Sequence, residues 1–303
     1  EKIIIDPYLV KNCKHEIRKN LLDLLSMFYL TVTFHVNNED HVEYVESPEF
    51  PDAKNFDMVL SELYSLLDFE FIMTKLSEWA EQNSITPEDI CLVIAPDDIL
   101  YAIPFGFLLD GEKKPLIKKI SGLSVTMSLV TLKYSLYRYH WRCAPRLNPE
   151  YPKCVFFGYT GDYLSSLDIE SEVQVIKKGF GSSDRVFSFS NTPSSKYCAT
   201  HSALACWHSS AEICWISGHG SYSVADMPIN NGSIPFPLVG IELSQGCITN
   251  WNLITSDKWN FSPCWLIVLN SCTVGRPMVV GSNPLGFIPS LYSMGAQSVL
   301  SPL

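Results

Sequence analysis

An α/β fold, with a mostly parallel sheet and helices on both faces, is what residues from Asp89 onward predict. Three observations predict it. Apolar runs of strand length recur at Ile90–Ala95, Cys154–Tyr159, Glu212–Ser217 and Pro263–Asn270, and runs without alternation mark strands buried on both sides. Segments of helical period lie between them. The two kinds alternate, which is the pattern of βαβ units.

The stretch before Asn83 reads as helical. Leu21, Leu24, Leu25 and Phe28 recur at helical spacing, and so do Leu60, Leu63, Leu66 and Leu67. Between them, Val36–Lys54 is polar and acidic with two prolines, and reads as a loop or the edge of an omitted segment. Ile90–Ala95 is a buried strand closed by the turn Pro96-Asp97-Asp98. Gly122–Met127 is a second strand, leading into a helix through Leu129, Leu132 and Leu136. Arg142–Pro152, with its internal prolines, is the expected linker.

After the linker, Cys154–Tyr159 is a strand. Asp168–Phe180 is a helix with Val173, Ile176 and Phe180 on one face and acids in its first turn. Strand Arg185–Phe189, helix Ser195–His208 and strand Glu212–Ser217 follow, then strand Pro263–Asn270. Pro284–Met294 is a helix stopped at Gly295, and Gln297–Leu300 begins another strand.

Composition narrows the function. With 47% apolar and 18% charged residues the chain is a compact globular protein. A net charge of -10 argues against a nucleic-acid binder held by phosphate neutralisation; the densest basic cluster, Lys113, Lys114, Lys118 and Lys119, reads as a solvated face. The ten cysteines come without a signal peptide or membrane span, and several sit inside apolar runs such as Ile213-Cys214-Trp215-Ile216. A reducing, cytoplasmic compartment is expected. The chain begins without methionine and stops just after a strand-like run, so a fragment, or a numbering that drops segments, is expected as well.

Parallel sheets carry their chemistry in loops beyond the carboxyl ends of the strands. Two such ends stand out: Gly218-His219-Gly220 after one strand and Ser271-Cys272-Thr273-Val274-Gly275 after another. Were these strands adjacent, His219 and Cys272 would share a rim. A thiolate is the reactive form of cysteine, and an imidazole beside it takes the thiol proton and returns it to a leaving amine. Exposed N–H groups beside the nucleophile would bind an oxyanion. Spacing alone leaves the bland alternative standing, in which the cysteine packs and the histidine makes a structural hydrogen bond.

More of the chain resembles a known family. Ile94-Ala95-Pro96-Asp97, Ile103-Pro104-Phe105, Leu108-Leu109-Asp110 and Pro115-Leu116-Ile117 follow one another in the N-terminal part. Glu170–Phe180, Ala199-Thr200, Ile216–Gly220, Val239–Leu243, Ile248-Thr249, Leu266–Gly275 and Gly286-Phe287 through Gly295–Val299 follow in the rest. In this order the segments resemble the CHAT peptidases, caspase-like proteases usually fused to tetratricopeptide repeats and related to caspases and separase. The resemblance implies a caspase-like fold, with 1–83 a helical segment that ends a repeat region and opens the CHAT region, 84–145 a non-catalytic half and 146–303 the catalytic half. It implies a Cys272/His219 dyad, an oxyanion hole from the N–H groups of Gly220 and Cys272, and no cofactor. It further implies a thiol protease acting on a protein substrate, regulated by an attached or associated helical-repeat region; the charge and the lack of an apolar span add the expectation that this region binds no nucleic acid and no membrane. Some relatives are protease arms of prokaryotic defence systems, including RNA-guided ones. The alternative is a catalytically silent caspase-like scaffold.

Departures from the family pattern are visible. Ser271 stands where Ala is usual, Thr273-Val274 where Glu-Thr is usual, and Trp215 where relatives often carry another histidine. The chain also ends before the family's closing strand and helix.

Other constellations carry less. Cys206, His208, Cys214 and His219 suggest zinc, yet they fall on a helix end and a strand, without a CxxC pair. His140 and His201 read as surface or capping residues. Gly179–Ser183 lacks the lysine of a phosphate loop, and no G-x-S-x-G elbow is present. Asp162 and Asp226, after the first strand and the histidine loop, are acids near the expected rim that would favour a basic P1 residue, but each reads more readily as a solvated loop acid.

Overall fold

The computed structural model describes residues 53–86, 89–142, 153–161, 167–181, 183–192, 195–229, 232–272, 274–275, 278–280 and 283–302, together with Leu24, 35–36 and 42–43. The helical pattern at Leu21, Leu25 and Phe28, the linker residues 143–152 and Asp162 lie outside the described residues. Two compact units form, one of residues up to Ala95 with Ala102–Thr126, the other of Pro96–Tyr101 with Met127 onward.

In the first unit, α1 (Ala53–Leu66) and α2 (Phe69–Gln82) follow each other through Asp68, whose φ is 54°. Val59, Leu60, Leu63 and Tyr64 are buried at helical spacing, and Phe69 packs between the rings of Tyr64 and Phe105. β1 (Cys91–Ile94) pairs in parallel with β2 (Gly122–Val125). The buried Asp110 carboxylate between them in sequence accepts the N–H groups of Glu112 and Lys114 and pairs with Lys119. At the start of the stretch expected as a loop, His35–Val36 and Val42–Glu43 pair as antiparallel strands.

The second unit opens with α3 (Leu129–Arg142) and is built on a five-stranded sheet. Its strands are β3 (Cys154–Gly158), β4 (Val186–Ser190), β5 (Ile213–Ser217), β9 (Leu266–Asn270) and β12 (Val299–Leu300). Their spatial order is β12-β9-β5-β3-β4 and every pairing is parallel. The fold is thus α/β, with a parallel sheet, as the apolar runs predict.

Each face of the sheet buries its own layer. On one, α4 (Ile169–Gly179) lays Ile169, Val173 and Ile176 on Cys154, Phe156, Ile213 and Val268. α4 starts where it does because the Asp168 carboxylate accepts the Ser171 N–H, with Glu170 and Glu172 in its first turn and Lys177 and Lys178 in its last, matching the helix dipole. On the other face Val155, Phe157, Cys214, Ile216, Ile267 and Leu269 meet α5 (His201–Trp207), α6 (Asn250–Ile254) and α7 (Phe287–Ser293).

Two helices are shorter than the periodicity predicts. α5 begins at His201 rather than Ser195, because Thr200 caps it through the Ala203 N–H and the preceding residues fold back, with the Ser190 N–H donating to the Tyr197 carbonyl. α7 begins at Phe287 because Pro284 belongs to β11 (Asn283–Leu285), paired antiparallel with β10 (Met278–Val280). Its end at Gly295, with φ 98°, is as expected. Between β5 and β9 lies a feature the alternation does not predict. β6 (Gly220–Ile229), β7 (Gly232–Leu243) and β8 (Gly246–Thr249) form a separate antiparallel sheet in the order β8-β7-β6. Among the described residues no helix is long and apolar enough to cross a membrane.

Candidate active site

β5 and β9 are direct neighbours, in register from Ile213↔Leu266 to Ser217↔Asn270. The sequence then advances equally on each: His219 stands two residues beyond Ser217, and Cys272 two beyond Asn270. The segments stay joined past the strands, for the Gly218 N–H donates to the Asn270 carbonyl at 3.3 Å. The His219 carbonyl accepts the Glu242 N–H of β7 at 2.9 Å.

The flanking glycines are steric requirements. A Cβ on Gly218 would stand 2.6 Å from the Glu242 carbonyl oxygen, and one on Gly220 would overlap the carbonyl oxygen of Cys272. The histidine segment therefore lies directly against the cysteine loop. That loop is tightened by the Val274 N–H, which donates back to the Cys272 carbonyl at 2.8 Å. His219 is half-buried and Cys272 exposed.

Among the described residues, the other cysteines of this unit are a buried set, an exposed set and the half-buried Cys247. Cys154, Cys214 and Cys264 are buried. Burial, with Cys264 nearby, pushes the Cys154 thiol up to about 12, and burial raises Cys214 well above the ordinary thiol value. Cys154 and Cys214 therefore remain protonated packing groups. Cys198 and Cys206 are exposed like Cys272, but neither follows a strand that neighbours β5.

The family model described as the CHAT domain matches residues 58–303. The chain belongs to the CHAT family. A search of curated proteins gave no significant match. A CHAT domain is caspase-like and peptidase-related, and the parallel sheet supplies the rim on which such chemistry would sit.

One residue at this rim of the CHAT domain escapes sequence reasoning. Glu172 reads there as one of the first-turn acids of a helix. Its carboxylate in fact accepts three side-chain hydrogen bonds, from Trp215 Nε1 at 2.7 Å, Ser217 Oγ at 2.7 Å and Asn270 Nδ2 at 3.0 Å. The partners lie 43, 45 and 98 residues away in sequence, so no local pattern signals them. Trp215 is thus bound into the layer between sheet and α4. The neighbouring loops after β3 and β4 are tied by Thr160 and Asn191, which exchange hydrogen bonds of 3.0 and 2.9 Å.

Other residues singled out in the sequence fall elsewhere. Asp226 is exposed on β6, six positions past Gly220. His201 reaches the Gly246 carbonyl through Nε2 at 3.1 Å. His208 is buried; Nδ1 faces the Leu204 carbonyl at 2.9 Å and Nε2 accepts the Asn260 N–H at 3.0 Å. Both its ring nitrogens are thereby engaged by the backbone. Among the described residues no three His, Cys, Asp or Glu side chains are gathered to hold a metal ion. Ser271 is buried, with its hydroxyl oxygen 3.1 Å from where a Cβ on Gly220 would stand.

Proposed function

We propose that this CHAT domain is a regulated cysteine endopeptidase in which Cys272 is the nucleophile and His219 the general acid and base. The observation that carries the reading is the apposition of Gly220 and Cys272, with His219 and Cys272 each two residues beyond the paired ends of two parallel strands. The chemistry follows from the groups. Cys272 gives its thiol proton to His219, and sulfur adds to the scissile carbonyl carbon. The oxygen becomes an oxyanion received by the N–H groups of Gly220 and Cys272. Collapse breaks the C–N bond as His219 protonates the departing amine, leaving a thioester on Cys272. Water then adds to the thioester while His219 takes its proton; the C–S bond breaks, the carboxylic acid leaves and the thiol is restored.

The substrate is a protein. Residues 84–145 serve as the non-catalytic half and 146–303 as the catalytic half, under the control of an attached or associated helical-repeat region. The protein works in the cytoplasm, and a role as the protease arm of a prokaryotic defence system, including an RNA-guided one, is compatible with this family.

Proteome-wide cleavage profiling of the activated full chain beside Cys272→Ala and His219→Ala tests the reading. Both variants should melt near the wild-type temperature and show background cleavage only. Cleavage retained by Cys272→Ala would overturn the assignment. Activated wild type that neither cleaves nor takes a peptidyl acyloxymethyl ketone on Cys272 would make the chain a caspase-like scaffold.

A further inference from the structure

Glu172 bonds to both strands that lead into the candidate dyad. Its Oε1 accepts from Trp215 on β5 and from Asn270 at the end of β9, and its Oε2 accepts from Ser217, the last residue of β5. Asn270 Nδ2 also lies 3.4 Å from Ser217 Oγ, so the four side chains form one network across the two strand ends. Docking of α4 does not need this carboxylate, because the buried Ile169, Val173 and Ile176 already hold the helix to the sheet. Short bonds to an ionised acceptor in a half-buried site are strong and directional. Two of them fix Ser217 and Asn270, whose backbones lead, two residues later, to His219 and Cys272.

We propose that Glu172 is a positioning residue, whose carboxylate clamps the ends of β5 and β9 and so sets the separation of His219 and Cys272. The inference rests on the dyad reading above. It assigns Trp215 a role too, as one of the donors that aim the clamp rather than as a substitute for a histidine.

The test is alkylation of Cys272 by iodoacetamide between pH 5 and pH 9 in the full chain, resolved by site with mass spectrometry, with a melting curve for each variant. The exposed Cys198 is the internal control. The quantity read is the His219-dependent part of the rate, wild type minus His219→Ala. Glu172→Ala should fold, leave Cys198 unchanged and lower that part about tenfold or more, the effect of displacing one reacting group by a fraction of an ångström to an ångström. Glu172→Gln should hold it within about threefold. The amide oxygen can accept from Trp215 and Asn270, while its NH₂ donates to Ser217 Oγ, whose own proton turns to the Asn270 carbonyl 3.5 Å away.

A folded Glu172→Ala whose Cys272 profile overlays wild type overturns the proposal. So does a Glu172→Gln as impaired as the alanine variant. Should Glu172→Ala not fold, Ser217→Ala and Asn270→Ala each delete one donor and carry the test, with partial loss expected and an overlay overturning it. If His219→Ala itself leaves Cys272 reactivity unchanged, the dyad reading fails, and the clamp falls with it.

Discussion

Gly220 lies so close to Cys272 that the carbonyl oxygen of the cysteine occupies the space a side chain on residue 220 would need. The contact joins the first residue of β6 to the loop after β9, two segments separated by half a hundred positions in sequence. The Glu242 bond to the His219 carbonyl holds the other side of the same segment. His219 is thus pinned between β7 and the cysteine loop by backbone contacts, and its geometry depends on two residues having no Cβ.

Gly220→Ala should therefore disable the site without changing any chemical group. The added methyl must push Cys272 or the start of β6 aside, at a cost of about 1–3 kcal/mol in stability. Cleavage should fall about 10²-fold, because displacements of an ångström carry penalties of that size. Cleavage assays beside thermal melting measure both. Wild-type activity in a folded Gly220→Ala would show that the apposition is not needed.

Thiol reactivity should split along burial. In the native protein Cys272, Cys198 and Cys206 should take up iodoacetamide, while Cys154, Cys214 and Cys264 should label only after unfolding. Peptide mass spectrometry after a short pulse distinguishes the sets. Native labelling of Cys214 would contradict the packing of β5 against its neighbours.

His208 should make the second unit acid-sensitive. Burial lowers its pKa, against the pull of the Leu204 and Ala205 carbonyls, and protonating Nε2 would also break the bond from the Asn260 N–H. The unfolded chain takes up this proton near the ordinary histidine value of about 6.5, and the folded chain only at lower pH. The unfolded state therefore binds more protons in that interval. Stability should be complete above about pH 6.5 and decline as pH falls toward the folded value, by at most about 1.4 kcal/mol per pH unit. Melting midpoints between pH 7 and pH 5 should show the decline, and His208→Gln should flatten it.

Thr249→Ala should affect stability alone. Its hydroxyl accepts the Asn252 N–H while the Asn252 side chain accepts the Thr249 N–H, a reciprocal cap on the five-residue α6. Losing it should cost about 1 kcal/mol. Chemical denaturation measures the loss, and Cys272 alkylation in the folded variant should match wild type.

What sequence made legible was what is written locally. β3, β5 and β9 show as unbroken apolar runs because both of their faces are covered, and α4 shows because its buried stripe and its charged ends agree. His219 and Cys272 stood out because glycines and strand ends are local marks. The β6–β7 hairpin was harder. Asn230-Asn231-Gly232 is a turn signal, yet Pro228, Pro235 and Pro237 speak against strands. The structure resolves the conflict: β8 pairs with β7 only over Gly240–Leu243, so both β7 prolines fall where, among the described residues, that strand has β6 as its one neighbour. The Pro237 carbonyl is taken instead by Asn250 Nδ2 at 2.8 Å. Glu172 was hidden for another reason, since its partners meet only once three elements have packed.

The same uneven pairing has a dynamic consequence. β6 and β7 run as one uninterrupted ladder from Gly220↔Ile241 out to Ile229↔Gly232, but only the inner end is braced by a third strand and by the bond to His219. Amide exchange should be slowest at Ile241 and Glu242 and quicken toward Ile229 and Gly232, as opening frees ever fewer contacts. The ribbon is in that sense a lever with its fulcrum at the histidine, and whatever grips its outer end pulls on His219 through a continuous line of backbone hydrogen bonds.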